Sequence, residues 1–184
     1  MAFLPLLPPP AGTPAAEVLR ETEARWGYAP NIVRALAMRP ELLQAEDAWS
    51  KALMYSGLLP RTLKEAVATT VSVVNKCDYC ATSHAYAGQR AGQGPEVAQA
   101  CARLRFDGLP ERDRAALEFA RKAASDMNAI TQRDVDALRA HFSPQEIVEL
   151  AAVIGSFMLY NTFVTALGLE LEPQHGASLL ATKG

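Results

Sequence analysis

The chain has 184 residues, 49% of them apolar, with 18 Lys and Arg against 20 Asp and Glu for a net charge of −2. This length fits one domain better than two, and the apolar content is enough to bury a core, which excludes wholesale disorder. The near-neutral charge argues against the basic surface that binds nucleic acid or an anionic membrane, and three cysteines, an odd number, do not describe a disulfide-stapled secreted scaffold.

Residues 1–14 read as a Pro-rich arm. Pro5, Pro8, Pro9 and Pro10 break any helix there, and no Lys or Arg precedes Arg20, so the arm does not read as a secretory signal. The cytoplasm is therefore the expected compartment. Thr13-Pro14 opens a helical segment through Trp26, and two more follow, Asn31 to Met38 and Pro40 to about Tyr55. Gly57 and Pro60 separate these from Arg61 to Val74, where Leu63, Ala66, Val67, Thr70, Val71 and Val74 recur at three and four. Asn75-Lys76 reads as a turn, and Cys77 to Gly88 as the next helix.

Pro95 to Leu104 and Glu111 to Met127 continue the helical pattern. Thr131 and Ser143 then each precede a carboxylate by three residues, Asp134 and Glu146, which is the capping-box signature. Pro144 follows the Ser143 cap at the first helical position and opens the longest predicted helix, to about Leu167. From Leu150 to Leu169 no residue is charged, so length alone meets the criterion for a membrane span. Gly155, Ser156, Asn161, Thr162 and Thr165 interrupt it and no basic cluster flanks it, so a buried central helix or a subunit interface is the better reading, with no membrane partner. No alternating strand is found. The expected fold is all-α, a single helical domain over 15–172 with seven to nine helices, followed by a tail at 173–184.

Chemistry concentrates between Glu65 and His84. Three residues on a helix advance about 300° and four about 400°, so Cys77, Cys80 and His84 share one narrow face. A thiol in the first helical turn meets unpaired N–H groups and the positive end of the dipole, and an imidazole one turn on accepts its proton. If the chain reverses at Asn75-Lys76, His84 falls opposite residue 67, two positions from Glu65, where a carboxylate orients the imidazole and stabilises its charged form. The small residues Ala68, Thr69 and Ser72 on that face let the two helices approach closely.

These residues resemble a known family. Glu65, Cys77 twelve residues on, Cys80 three further and His84 four further have the spacing of the alkylhydroperoxidase D and carboxymuconolactone decarboxylase superfamily, closest to its peroxidase-related branch. The resemblance implies an all-helical subunit, homo-oligomers and thiol-dependent reduction of hydroperoxides without a cofactor or metal. It further implies that Cys80 attacks the peroxide, Cys77 resolves the sulfenic acid, His84 and Glu65 relay the proton, and an external dithiol donor restores both thiols. One departure is that Asp78 and Tyr79 stand between the cysteines, where the best-known member carries a histidine.

Several other readings stay open. Thr62-Leu63-Lys64-Glu65 is itself a capping box, in which Glu65 would serve the helix start. Cys77, Cys80 and His84 are three candidate zinc ligands, although Cys101, His141 and His175 stand apart as a fourth. A lactone decarboxylase and a non-enzymatic redox sensor are the remaining alternatives. Cys101 reads as buried and inert, Tyr79 and Tyr86 as core or entrance aromatics, and His175 receives no role.

Overall fold

The structure, a computed structural model, describes residues 2–180. Nine α-helices carry the described chain: α1 (Pro14–Trp26), α2 (Asn31–Leu36), α3 (Pro40–Ser50), α4 (Arg61–Val74), α5 (Asp78–Arg90), α6 (Pro95–Arg103), α7 (Glu111–Ser125), α8 (Gln132–Arg139) and α9 (Pro144–Leu167). No strand occurs among the described residues.

The punctuation explains the boundaries. Thr13 caps α1 by accepting the Ala16 N–H, with Pro14 at the first position, and Gly27 ends the helix at a left-handed φ of 84°. The boxes at Thr131 and Ser143 both form, and Gly168 closes α9 with φ 58°. The expected run to Met127 stops at Ser125, because the Asp126 carboxylate accepts the Asn128 N–H and starts a separate short 3₁₀ turn. Likewise α5 begins one residue late, at Asp78, with Cys77 as its N-cap. Such shifts are ordinary at helix ends.

Helix α4 is the axis of the molecule. Every residue from Leu63 to Val73 is buried, and α5, α6, α7 and α9 all pack around it. Val67, Val71, Leu117, Leu150, Val153 and Phe157 form the centre of the core. Each such side chain contributes about 1.5–3 kcal/mol relative to an exposed one. The α4–α5 hairpin turns at Asn75-Lys76, where Lys76 takes the left-handed φ of 57°, and it is pinned by the Cys77 N–H bonding to the Ser72 carbonyl at 2.9 Å.

Buried Lys64 fixes the corner that leads into α4. A π-helical turn, Lys51–Tyr55, extends α3, and the Lys64 ammonium donates to the Leu53 carbonyl at 2.7 Å, to the Ser56 carbonyl and to Glu149 at 2.9 Å. A buried cation needs such partners, and this set ties the α3 extension to α9. The consequence for the site is positional: Met54 and Tyr55 are held where they line a cavity together with residues of α5.

Helix α9 is long and apolar enough to cross a membrane by length and composition, the single such helix among the described residues. Its inner face carries Leu150, Val153, Ile154 and Phe157 into the core, and buried Asn161 accepts the Ser72 hydroxyl at 3.0 Å. Val148 and Leu159 remain exposed on the opposite side. Beyond α9 the chain returns over α5: Leu179 N–H donates to Thr82 Oγ1 at 2.9 Å and Leu180 N–H to Asp78 Oδ1 at 3.1 Å.

Candidate active site

The hairpin brings together Glu65 and His84, the two residues that the helix geometry pairs. Glu65 lies on the α4 face that looks at α5, 1% exposed, and its Oε2 meets His84 Nδ1 at 2.6 Å. The other oxygen accepts from Arg61 Nε at 2.7 Å, one helical turn earlier. Burial alone would push this carboxyl up, but His84 and Arg61 outweigh it, and Glu65 is held below its ordinary range. The capping reading of Glu65 is overturned: α4 starts at Arg61 directly after Pro60, so Thr62 lies inside the helix and the carboxylate points away from the helix start to the imidazole.

With Nδ1 engaged by Glu65, the His84 ring is fixed edge-on against Phe157, centroids 4.4 Å apart. Its remaining nitrogen is the one available for proton exchange. Cys80 lies one turn earlier on α5, and both residues line the same cavity of about 160 Å³. Val18, Ile32, Val33, Met54 and Tyr160 supply much of the cavity wall. Glu46 enters from α3 and accepts the Tyr160 hydroxyl at 3.2 Å, and its burial raises the carboxyl above the usual range.

The two cysteines are reduced and stand in different environments. Cys77 caps α5 and packs beneath the cavity against Val164 and Leu169, whereas Cys80 opens to it. The Cys80 S–H donates to the Cys77 sulfur, so Cys77 is lowered to about 7 despite its burial, helped by the Cys80 backbone N–H and the Thr165 side chain. Cys80, the donor of that bond and also buried, is raised. Of the pair, Cys77 is the one whose ionisation is favoured. Asp78, which opposes this weakly, is itself engaged by Thr82 and by Leu180.

A second polar cluster borders the cavity that the local spacing does not announce. His175, from the short 3₁₀ turn Pro173–His175, bonds the Tyr28 hydroxyl at 2.5 Å and the Ser83 hydroxyl at 3.3 Å. Glu172 is buried beside it and accepts the Tyr79 hydroxyl at 2.6 Å and the Asn31 N–H at 2.5 Å. Tyr79, left between core and entrance by its sequence, does both: its ring lines the cavity and its hydroxyl anchors Glu172. Cys101 is buried elsewhere in the core, raised to about 11. Among the described residues no group of three His, Cys, Asp or Glu is arranged to hold a metal ion.

Comparison with known proteins agrees with this geometry. The sequence profile of the carboxymuconolactone decarboxylase family matches residues 40–122, which contain the whole α4–α5 hairpin. A peroxidase-related protein from Ralstonia eutropha JMP134, with an alkylhydroperoxidase AhpD core, superposes with a TM-score of 0.87 at 26% identity, over 97% of this chain and 96% of its own. Residues 40–122 thus match the carboxymuconolactone decarboxylase family, and the chain has an AhpD-like fold. A second peroxidase-related protein of that fold, from Silicibacter sp. TM1040, gives a TM-score of 0.87 at 27% identity over 96% of this chain and 94% of its own. An alkyl hydroperoxide reductase of Mycobacterium tuberculosis is 34% identical over 89 residues, 48% of this chain. The match spans only about a quarter of that longer protein, 26% of its length.

Proposed function

We propose that this AhpD-like protein is a thiol-dependent peroxidase that reduces hydroperoxides through Cys77 and Cys80. The observation that carries the reading is the Glu65–His84 hydrogen bond of 2.6 Å, set one helical turn from a cysteine that opens into the same cavity. Kinship with an alkyl hydroperoxide reductase supports it.

In this reading, Cys80 is the attacking residue because it lines the cavity, which Cys77 does not. His84 takes the Cys80 proton on the ring nitrogen that Glu65 does not engage, and the Glu65 carboxylate stabilises the charge that the ring gains. The Cys80 thiolate attacks the terminal oxygen of the hydroperoxide; an S–O bond forms, the O–O bond breaks, and the alkoxide leaves, becoming the alcohol with a proton equivalent to the one that Cys77 has released. Cys77, poised as a thiolate, then attacks the Cys80 sulfur, forming the disulfide and releasing water. An external dithiol donor restores the pair. A reducing cytoplasm suits such a cycle, and the exposed apolar side of α9 suits association into a homo-oligomer. A single sedimenting monomer at micromolar concentration would contradict the association.

The test is consumption of an organic hydroperoxide by the reduced protein with a dithiol donor. Wild type turns over, and Cys80→Ser loses all turnover. Wild-type rates in Cys80→Ser would remove Cys80 from its role, and an inert wild type would overturn the peroxidase reading.

A further inference from the structure

One turnover of a dithiol with a hydroperoxide releases two thiol protons and consumes both, one in the alcohol and one in water. Glu65 and His84 hold one of them. A second carboxylate–imidazole pair, Glu172 and His175, whose imidazole also lines the cavity, is arranged as a matching holder. His175 is inserted between Glu172 and Tyr28: its Nδ1 lies 3.3 Å from Glu172 Oε2 and 3.3 Å from the Ser83 hydroxyl, and its Nε2 lies 2.5 Å from the Tyr28 hydroxyl. The side chain is 3% exposed. Glu172 Oε2 is buried with no hydrogen-bond partner of its own, so protonation of the ring would supply the charge that this oxygen lacks.

We propose that His175, backed by Glu172 and acting through the Tyr28 hydroxyl, is the second proton carrier of the site and supplies the proton that the leaving oxygen of a hydroperoxide requires. This rests on the peroxidase reading above. The step balances as follows. The Cys80 thiolate bonds the terminal oxygen, the O–O electron pair departs on the alkoxide, and the Tyr28 hydroxyl gives that oxygen its proton. Tyr28 is refilled through His175, whose proton is replaced from solvent, into which the Cys77 thiol has released its own. The second proton, held on His84, leaves with hydroxide as water when Cys77 closes the disulfide.

Supporting chemistry is consistent with a carrier rather than a resting cation. Burial lowers His175, with Glu172 opposing and the nearby His84 adding to the effect, so a proton placed there is readily passed on. Burial pushes Tyr28 up to about 12, with Glu172 and Tyr86 adding to it and Arg90 opposing, so its hydroxyl stays protonated and able to donate. The other group on the ring is Tyr86, whose own ring centroid is 5.1 Å away.

The test separates a proton carrier from a merely structural histidine by the leaving group. An alkoxide leaves poorly without a proton, whereas the carboxylate expelled from a peracid needs none. Reduced full-length protein is mixed with tert-butyl hydroperoxide or with peracetic acid in single turnover, and Cys80 oxidation is followed by quenched intact mass. In His175→Asn the ratio of the hydroperoxide rate to the peracid rate falls by roughly 10²-fold, the size of a general-acid contribution. Tyr28→Phe, which keeps the ring and the packing, reproduces that fall and guards against misfolding in the histidine variant. Equal loss on both oxidants, or an unchanged ratio in Tyr28→Phe, overturns the inference alone. No oxidation of wild-type Cys80 by either oxidant overturns the peroxidase reading and the inference together.

Discussion

Two carboxylate–imidazole pairs present their imidazoles to one cavity, and they are built in opposite ways. Glu65 and His84 belong to a single hairpin, so a tight turn and two regular helices are enough to set their 2.6 Å contact. Glu172 and His175 sit three residues apart on an irregular segment, and their position depends on bonds to Asn31, Tyr79, Tyr28 and Ser83 from distant parts of the chain. The first pair is rigid because its backbone is. The second is ordered by its side-chain partners, and removing one partner is expected to loosen it without disturbing the hairpin.

The largest expected effect distinguishes the pairs by chemical stage. Glu65→Gln leaves His84 without a charged partner, so thiolate formation at Cys80 is impaired and oxidation slows by about 10²-fold with hydroperoxide and peracid alike. Rapid-mixing rates with both oxidants check it. A loss confined to the hydroperoxide would instead place Glu65 at the leaving-group step, and the contrast with His175 would collapse.

A smaller effect sharpens the division between the two sulfurs. Cys77 is lowered to about 7, and its bond with the Cys80 side chain is the largest cause. In Cys80→Ala the donated S–H is lost, so the Cys77 thiol titrates higher, toward its ordinary value of 9.0. In Cys77→Ala the low ionisation disappears. Thiolate ultraviolet absorbance against pH reads both variants, and a titration near 7 that survives in Cys77→Ala would move the charge to Cys80.

The smallest effect is thermodynamic. Glu65 is depressed below its ordinary 4.5, so its contribution to stability is complete above that pH and is lost as pH falls through the lower folded-state value. The Tm difference between wild type and Glu65→Gln is therefore expected to be largest near neutrality and to close on acidification below about 4.5. A gap that widens in acid would mean the carboxyl is raised by its burial rather than lowered by His84 and Arg61.

Legibility in the sequence follows the same contrast. The helices from Pro14 onward are readable because proline, glycine and capping residues mark their ends, as at Thr13-Pro14, Asn75-Lys76 and Ser143-Pro144. The first pair is readable because α-helical rise converts sequence distance from a turn into spatial distance. His175 gives no such signal: it follows Pro173 in a segment with no periodicity, and a carboxylate three residues before a lone histidine is common. Its role in the cavity wall arises from Tyr28, forty-nine residues before Cys77, and from Glu172 packed on Tyr79. Lys64 was hidden for a related reason. Nothing local shows that a lysine on an apolar helix face meets the carbonyls of Leu53 and Ser56 and the carboxylate of Glu149.

The most direct test of the central claim is intact mass after one equivalent of organic hydroperoxide. The account predicts that the reduced wild type loses two hydrogens as the Cys77–Cys80 disulfide forms, and that Cys77→Ser gains one oxygen on Cys80. A wild type left unmodified, or an added oxygen on Cys77 in Cys80→Ser at the wild-type rate, would contradict it.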